Sequence, residues 1–139
     1  MASLSAIRTA VVDTLSQIDG LAVHPQVQEQ INPPAALITP ADAEFDKAFG
    51  RGEDEWHFDI VVVVSRQELL SAQDLLDQYV NGFGPKSIRE HIWNNRDLGL
   101  DETFALITGV TGYGATYEFN SIQYLGAKLR LVVRTSGKD

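Results

Sequence analysis

The chain has 139 residues, 44% of them hydrophobic, and no cysteine, which suits one compact domain over residues 1–139 and excludes disulfides and thiolate metal sites. Nineteen acidic residues against eleven basic ones give a formal net charge of -8, which argues against a general binder of nucleic acid or anionic membranes, because phosphate contacts need Lys and Arg. No apolar stretch approaches the roughly 20 residues that cross a bilayer and the N-terminus lacks a secretion signal, so we expect a soluble chain that is not exported.

The N-terminal third is predicted to form a helix followed by two short strands. Apolar residues recur at three- and four-residue spacing over residues 4–18, and Gly20 can adopt the left-handed conformation that ends a helix. Residues 21–24 and 35–39 are each predicted to be a strand. Pro40 is expected to end the second strand, because proline fixes φ and lacks a backbone donor.

Residues 41–55 lose this pattern and are predicted to be a flexible acidic loop or a long hairpin. Phe45 and Phe49 do not suit a solvated loop, so they either fold back on their own domain or dock on another surface. Glycines at positions 50 and 52 favour mobility in the free subunit. The acidic side chains of the segment are Asp42, Glu44, Asp46, Glu53, Asp54 and Glu55.

Residues 56–64, with the sequence WHFDIVVVV, are predicted to be the central strand of the sheet. Alternate positions place Trp56 and Phe58 on one face and His57 and Asp59 on the other. The valines that follow make both faces apolar, which is typical of a strand with material packed on each side. The rest of the chain is therefore expected to arrange itself around this strand.

Two helices are predicted after the central strand. The first begins at a capping box that opens with either Ser65 or Ser71 and runs to Gly82. The second opens with a clearer capping box, Ser87 to Glu90, after a Gly-Pro break. The buried side of this second helix is expected to carry Ile88, Ile92 and Trp93.

The last third is predicted to be strand again, over residues 103–110 and 127–135, with a glycine-rich loop at 111–123 between them. In the final strand the apolar residues point inward, while Lys128, Arg130 and Arg134 point outward. The element order is α-β-β-β-α-α-β-β. This order predicts an α+β fold in which helices pack on a mostly antiparallel sheet of about five strands, because the strands join through hairpin-type links.

No catalytic, metal or cofactor site emerges from the sequence. The histidines at positions 24, 57 and 91 lack the spacing of a metal-binding motif. His57 and Asp59 share a strand face and could form an acid-base pair, although such pairs are more often a solvated strand end. The GVTGYG segment follows a strand but lacks the residues of a phosphate-binding loop, so we interpret it as loop flexibility.

The distribution of charge suggests self-assembly. The acidic segment at 42–59 and the basic row on the final strand are oppositely charged and far apart in sequence, so one subunit could present each to a neighbour in a head-to-tail ring. The alternative is that both are ordinary solvated surface, since exposed ion pairs contribute only about 0–1 kcal/mol. The candidate inter-subunit contacts are Asp42, Glu44, Phe45, Asp46, Phe49, Lys128, Arg130 and Arg134.

The order of motifs along nearly the whole chain resembles the tail terminator (gpU-like) or head-tail joining proteins of long-tailed bacteriophages, especially those of actinobacteria. An N-terminal helix and an acidic linker accompany five short motifs in the same order. These motifs are Pro-Pro-Ala-Ala within residues 33–38, a W-x-F-x-V-type strand over 56–64, A-Q-x-L-L-D-x-Y at 72–79, G-x-x-S-I at 84–88, and Y-L-G-A-x-L-x-L at 124–131.

This resemblance implies a structural virion protein that is not an enzyme and binds no cofactor. Such proteins form rings, typically hexameric, which cap the tail tube and join it to the head-side connector. Net negative charge agrees with DNA that passes through the lumen without specific binding. Other neck components, such as a connector, stopper or tail-completion protein, stay open as alternatives. A small enzyme or ligand-binding domain with a site near His57, Asp59 and the glycine segment is the alternative from another class.

Overall fold

A computed structural model describes residues 4–24, 33–44, 54–66, 69–100, 102–119 and 121–135. Eight elements lie within these residues, and their order confirms the α-β-β-β-α-α-β-β prediction. The helices are α1 (Leu4–Leu15), α2 (Leu69–Val80) and α3 (Ile88–Asn94), and the strands are β1 (Ala22–His24), β2 (Ala35–Glu44), β3 (Asp54–Ser65), β4 (Thr103–Phe119) and β5 (Ile122–Thr135).

The described strands form one five-stranded sheet in the order β1-β2-β3-β5-β4. β3 occupies the middle position, so the prediction that residues 56–64 form the central strand is confirmed. Only β1 and β2 pair in parallel; the three other neighbouring pairs are antiparallel. The predicted α+β class with a mostly antiparallel sheet is therefore confirmed.

The three helices pack on one face of the sheet, where the main core lies. Alternate residues of β3 and β5 point into this core, including Phe58, Ile60, Leu129 and Leu131, which are at most 1% exposed. We call the opposite side the helix-free face, since the main core between the sheet and the three helices lies on the other side. At one end of that face Val61, Val63 and Tyr124 belong to a second, smaller apolar cluster that includes Ala35 and Leu37.

The helix boundaries correct two sequence predictions. Ser71 lies inside α2, so it does not open that helix as predicted. Ser65 is the last residue of β3, and residues 67 and 68 before α2 lie outside the described residues. The prediction for α3 is confirmed at its start, where Ser87 Oγ accepts from Glu90 N at 3.1 Å. Trp93 does not join Ile92 in the core; it is 46% exposed, because it lies at the border of the face that α3 buries.

No described helix is both long and apolar enough to span a membrane.

β2 and β3 extend further into the acidic segment than predicted. Pro40 does not end β2, since a shift in register between Pro40 and Asp42 lets the pairing with β3 resume. Asp42 then lies opposite His57, and β3 begins at Asp54. The predicted loop at 41–55 is therefore strand at 41–44 and at 54–55, and residues 45–53 lie outside the described residues.

The predicted glycine-rich loop at 111–123 is replaced by a long hairpin of β4 and β5. Two irregularities interrupt their pairing, one between Ile107 and Gly109 and a larger one between Thr111 and Ala115. Gly112 and Gly114 have positive φ values of 59° and 76°, which glycine adopts without strain. The glycines thus produce a bulge within a strand, because bulges need the same backbone freedom as loops.

Candidate functional site

Four charged or titratable side chains come together on the helix-free face: Asp42 from β2, Glu55 and His57 from β3, and Arg134 from β5. The sheet register explains their proximity, because His57 lies opposite Asp42, and Glu55 lies opposite Arg134. Residues directly opposite each other on neighbouring antiparallel strands share a face. We call this group the charged cluster.

His57 bridges the two carboxylates of the charged cluster. Its Nδ1 contacts Asp42 Oδ1, and its Nε2 lies 2.7 Å from Glu55 Oε2. The other oxygen of the Glu55 carboxylate, Oε1, accepts from Arg134 Nε at 2.9 Å. The Glu55 side chain is only 9% exposed, while those of Asp42 and Arg134 are 65% and 51% exposed. The cluster is thus a chain of contacts fixed at its buried centre.

The pKa of His57 is raised above its usual 6.5, chiefly by the hydrogen bond to Glu55. Partial burial lowers this pKa, and the hydrogen bond and charge of Asp42 raise it again. Both ring nitrogens face carboxylate oxygens, so the doubly protonated imidazolium suits this position best. In that state the ring has no lone pair with which to accept a proton or bind a metal.

This arrangement differs from the acid-base pair that the sequence suggested for His57 and Asp59. The two residues do share the helix-free face, but the ring nitrogens of His57 contact Asp42 and Glu55 instead. Across the sheet, Asp59 lies opposite Arg130. Within the described part of the chain, no group of three His, Asp or Glu side chains could hold a metal ion.

The outward direction of Lys128, Arg130 and Arg134 is confirmed, since the residues between them on the helix side of β5 are buried. Arg134, however, already contacts Glu55 of its own chain. Asp42 likewise contacts His57, and Glu44 is the last residue of β2. Phe45, Asp46 and Phe49 lie outside the described residues. Contacts of all these residues with a neighbouring subunit stay a prediction.

Sequence reasoning missed a mixed aromatic and cationic group at the edge of the sheet. The Arg96 guanidinium lies 4.1 Å from the centre of the Trp93 ring and 5.9 Å from that of Phe104. Phe104 and Leu106 lie opposite Arg134 and Val132, so they share the helix-free face. The sequence signal for this group is the TFALIT segment, residues 103–108. Alternate residues of a strand point to the same face, so Phe104 and Leu106 lie together.

The bulge of β4 serves a contact within the subunit. The Tyr113 hydroxyl donates to Asp77 Oδ1 of α2 and accepts from Gln73 Nε2 at 2.6 Å. The hydrogen bond to Asp77 is the main reason that the pKa of Tyr113 is raised. The glycine segment therefore connects the hairpin to α2.

Comparison with models of known protein families matches none of them to this chain, and no curated protein matches it either.

Proposed function

We propose that this chain is a structural virion protein, a tail terminator whose subunits form a ring at the head-proximal end of a phage tail. The observation that carries the proposal is the helix-free face of the sheet. It presents the fixed charged cluster beside exposed apolar side chains, whereas the helices cover the opposite face. A rigid surface with both kinds of group is suited to stable contact with another protein.

The motif order adds support from the sequence. Its five motifs fall on β2, β3, α2, the start of α3, and β5, which are all parts of one sheet with its helical cover. In the proposed role the ring binds the tail tube on one side and the head-side connector on the other. DNA passes through the lumen, where a net charge of -8 for each subunit disfavours adhesion.

The state of His57 favours this role over an enzyme. An acid-base mechanism would need a ring nitrogen with a free lone pair at some stage, but both nitrogens are engaged by Asp42 and Glu55. The shared Glu55 carboxylate is held in turn by Arg134. These contacts suit a fixed structural element of the surface better than a proton-transfer site.

Native mass spectrometry of the purified protein tests ring formation. We expect a closed assembly of 15.3 kDa subunits, with six as the expected number. Immunogold labelling of virions should then place the protein where the tail meets the head, which separates a terminator from a protein of another location. Phage that lack the gene should fail to join tails to heads. Absence from purified virions, or normal tails joined to heads without it, would contradict the proposal.

A further inference from the structure

The loop that joins α2 to α3 holds an aromatic side chain in solvent on a fixed backbone. Phe83 is 77% exposed, more than any other large apolar side chain among the described residues. Both neighbouring residues are held: Gly84 N donates to Glu90 Oε2 at 2.8 Å, and Gly82 O accepts from Arg89 Nη1 at 3.2 Å. A side chain on such a loop loses little conformational freedom on binding. Phe83 is therefore an exposed aromatic side chain of a type that is enriched at protein interfaces.

The helix-free face contains a cleft of about 180 Å³ that can receive an aromatic side chain. For comparison, a cavity of about 150 Å³ lined by aliphatic and aromatic residues binds benzene. The volume is therefore sufficient for a phenyl ring. We call this the aromatic cleft; its lining residues are Phe104, Leu106, Thr108, Val132 and Arg134.

The chemistry of the aromatic cleft favours an aromatic occupant over an aliphatic one. Leu106 and Val132 provide apolar surface, and Phe104 provides a ring for aromatic contact. The Arg134 guanidinium is fixed by its hydrogen bond to Glu55, and that of Arg96 lies near the Phe104 ring. Guanidinium groups stack on aromatic faces, so an inserted ring would gain contacts that an aliphatic side chain would not.

We propose that Phe83 of one copy of this chain inserts into the aromatic cleft of a second copy. The Phe83 loop joins two helices that pack on one side of the sheet, and the cleft opens on the other side. The contact therefore joins two different surfaces, and head-to-tail contacts of this kind give a ring when the rotation from one copy to the next closes on the first subunit. The inference rests on the proposed ring-forming function and identifies the surfaces that form the ring.

The first test replaces the side chain that inserts. Phe83→Ser should leave the subunit folded, because the side chain is largely in solvent, but should weaken each contact by about 30-fold or more, as expected for a dominant interface residue. The measurement is sedimentation equilibrium over a range of concentrations. Ile122→Ser is the matched control, since Ile122 is also exposed, at 54%, and lies outside both surfaces. The control should form rings like the parent chain.

A mixing experiment then tests whether the two surfaces meet. Thr108→Arg fills the aromatic cleft from an exposed position, so this variant keeps Phe83 but has no open cleft. Each variant alone should stay monomeric at concentrations where the parent forms rings. An equimolar mixture should give a heterodimer that does not grow, because only one intact Phe83 and one intact cleft can combine.

The possible results separate this inference from the proposed function. A parent chain that is monomeric at every concentration overturns both. Intact rings of Phe83→Ser overturn only the inference. If Thr108→Arg alone prevents ring formation while Phe83→Ser does not, another side chain fills the cleft, and the inference is wrong. It is equally wrong if both variants are monomeric and their mixture gives no heterodimer.

Discussion

His57 lies between two carboxylates, and its charge should make folding stability depend on pH. The raised pKa of the folded state, compared with the usual 6.5, means that the folded protein holds this proton more tightly than the unfolded chain does. The stabilisation is therefore complete below pH 6.5 and is lost as the pH rises through the raised pKa. The pKa itself can be measured from the His57 ring signals in an NMR titration.

The matched variants are His57→Gln and His24→Gln. Urea unfolding at pH 6 and pH 9 should show that the difference in free energy of unfolding between parent and His57→Gln is larger at pH 6. His24 lies on β1, away from the charged cluster. His24→Gln should therefore keep the contribution of His57 to the free energy of unfolding at both pH values. A parent-to-variant difference that is the same at both pH values would show that the cluster does not stabilise the imidazolium.

At the scale of the elements, β5 needs a glycine at one position where it pairs with the central strand, β3. A Cβ atom at Gly126 would lie 2.6 Å from the backbone oxygen of Val62 and 2.7 Å from the Tyr117 ring. The backbone oxygen belongs to the neighbouring strand and cannot move without disturbing the sheet. We expect Gly126→Ala to lower the free energy of unfolding by about 1–3 kcal/mol, the usual cost of overpacking.

Gly109→Ala is the control for this prediction, because Gly109 lies on β4 of the same hairpin and a Cβ atom there meets nothing within 4 Å. Alanine is also less costly than glycine in the backbone entropy lost on folding, so this variant should be neutral or slightly stabilising. Urea denaturation of the two variants measures both effects. Equal losses of stability would mean that the close approach at Gly126 is not the cause.

At the scale of the whole molecule, the basic row on β5 is predicted to contact acidic residues of a neighbouring subunit. Arg130 is the best residue for this test, because it is exposed and has no ion pair with any described residue, whereas Arg134 contacts Glu55 of its own chain. Arg130→Glu should weaken ring formation at low salt and reduce its sensitivity to salt, since such contacts are screened over about 8 Å at physiological ionic strength.

The charge change must be separated from a general effect of added negative charge. Arg66→Glu makes the same change at an exposed residue that lies outside the basic row. The assembly size of the parent, Arg130→Glu and Arg66→Glu is measured at low and high salt. Only Arg130→Glu should form fewer rings at low salt than the parent. Arg134→Glu, by contrast, is expected to disturb the fold as well, because it places a carboxylate beside Glu55. Equal ring formation by all three proteins at both salt concentrations would show that the basic row is only solvated surface.

Local pattern was sufficient to predict the class and order of the elements. The β-branched run at 61–64 predicted the central strand, and the alternation around Leu129 and Leu131 predicted which side of β5 is buried. Both features depend on periodicity, which the chain carries residue by residue. Ser87 also acts locally, as the N-cap of α3. Gly20 has the predicted positive φ, 80°, but it does not end the first helix, because α1 already ends at Leu15.

The tertiary structure decided what depends on partners distant in sequence. Pro40 predicted a strand end, but pairing with β3 carries β2 past it, and GVTGYG predicted a loop, but pairing with β5 makes it a bulged strand. The charged cluster joins residues from three strands, so no spacing along the chain could reveal that Arg134 reaches Glu55. The aromatic cleft likewise depends on the pairing of β4 with β5, because register alone places Phe104 and Leu106 beside Arg134 and Val132.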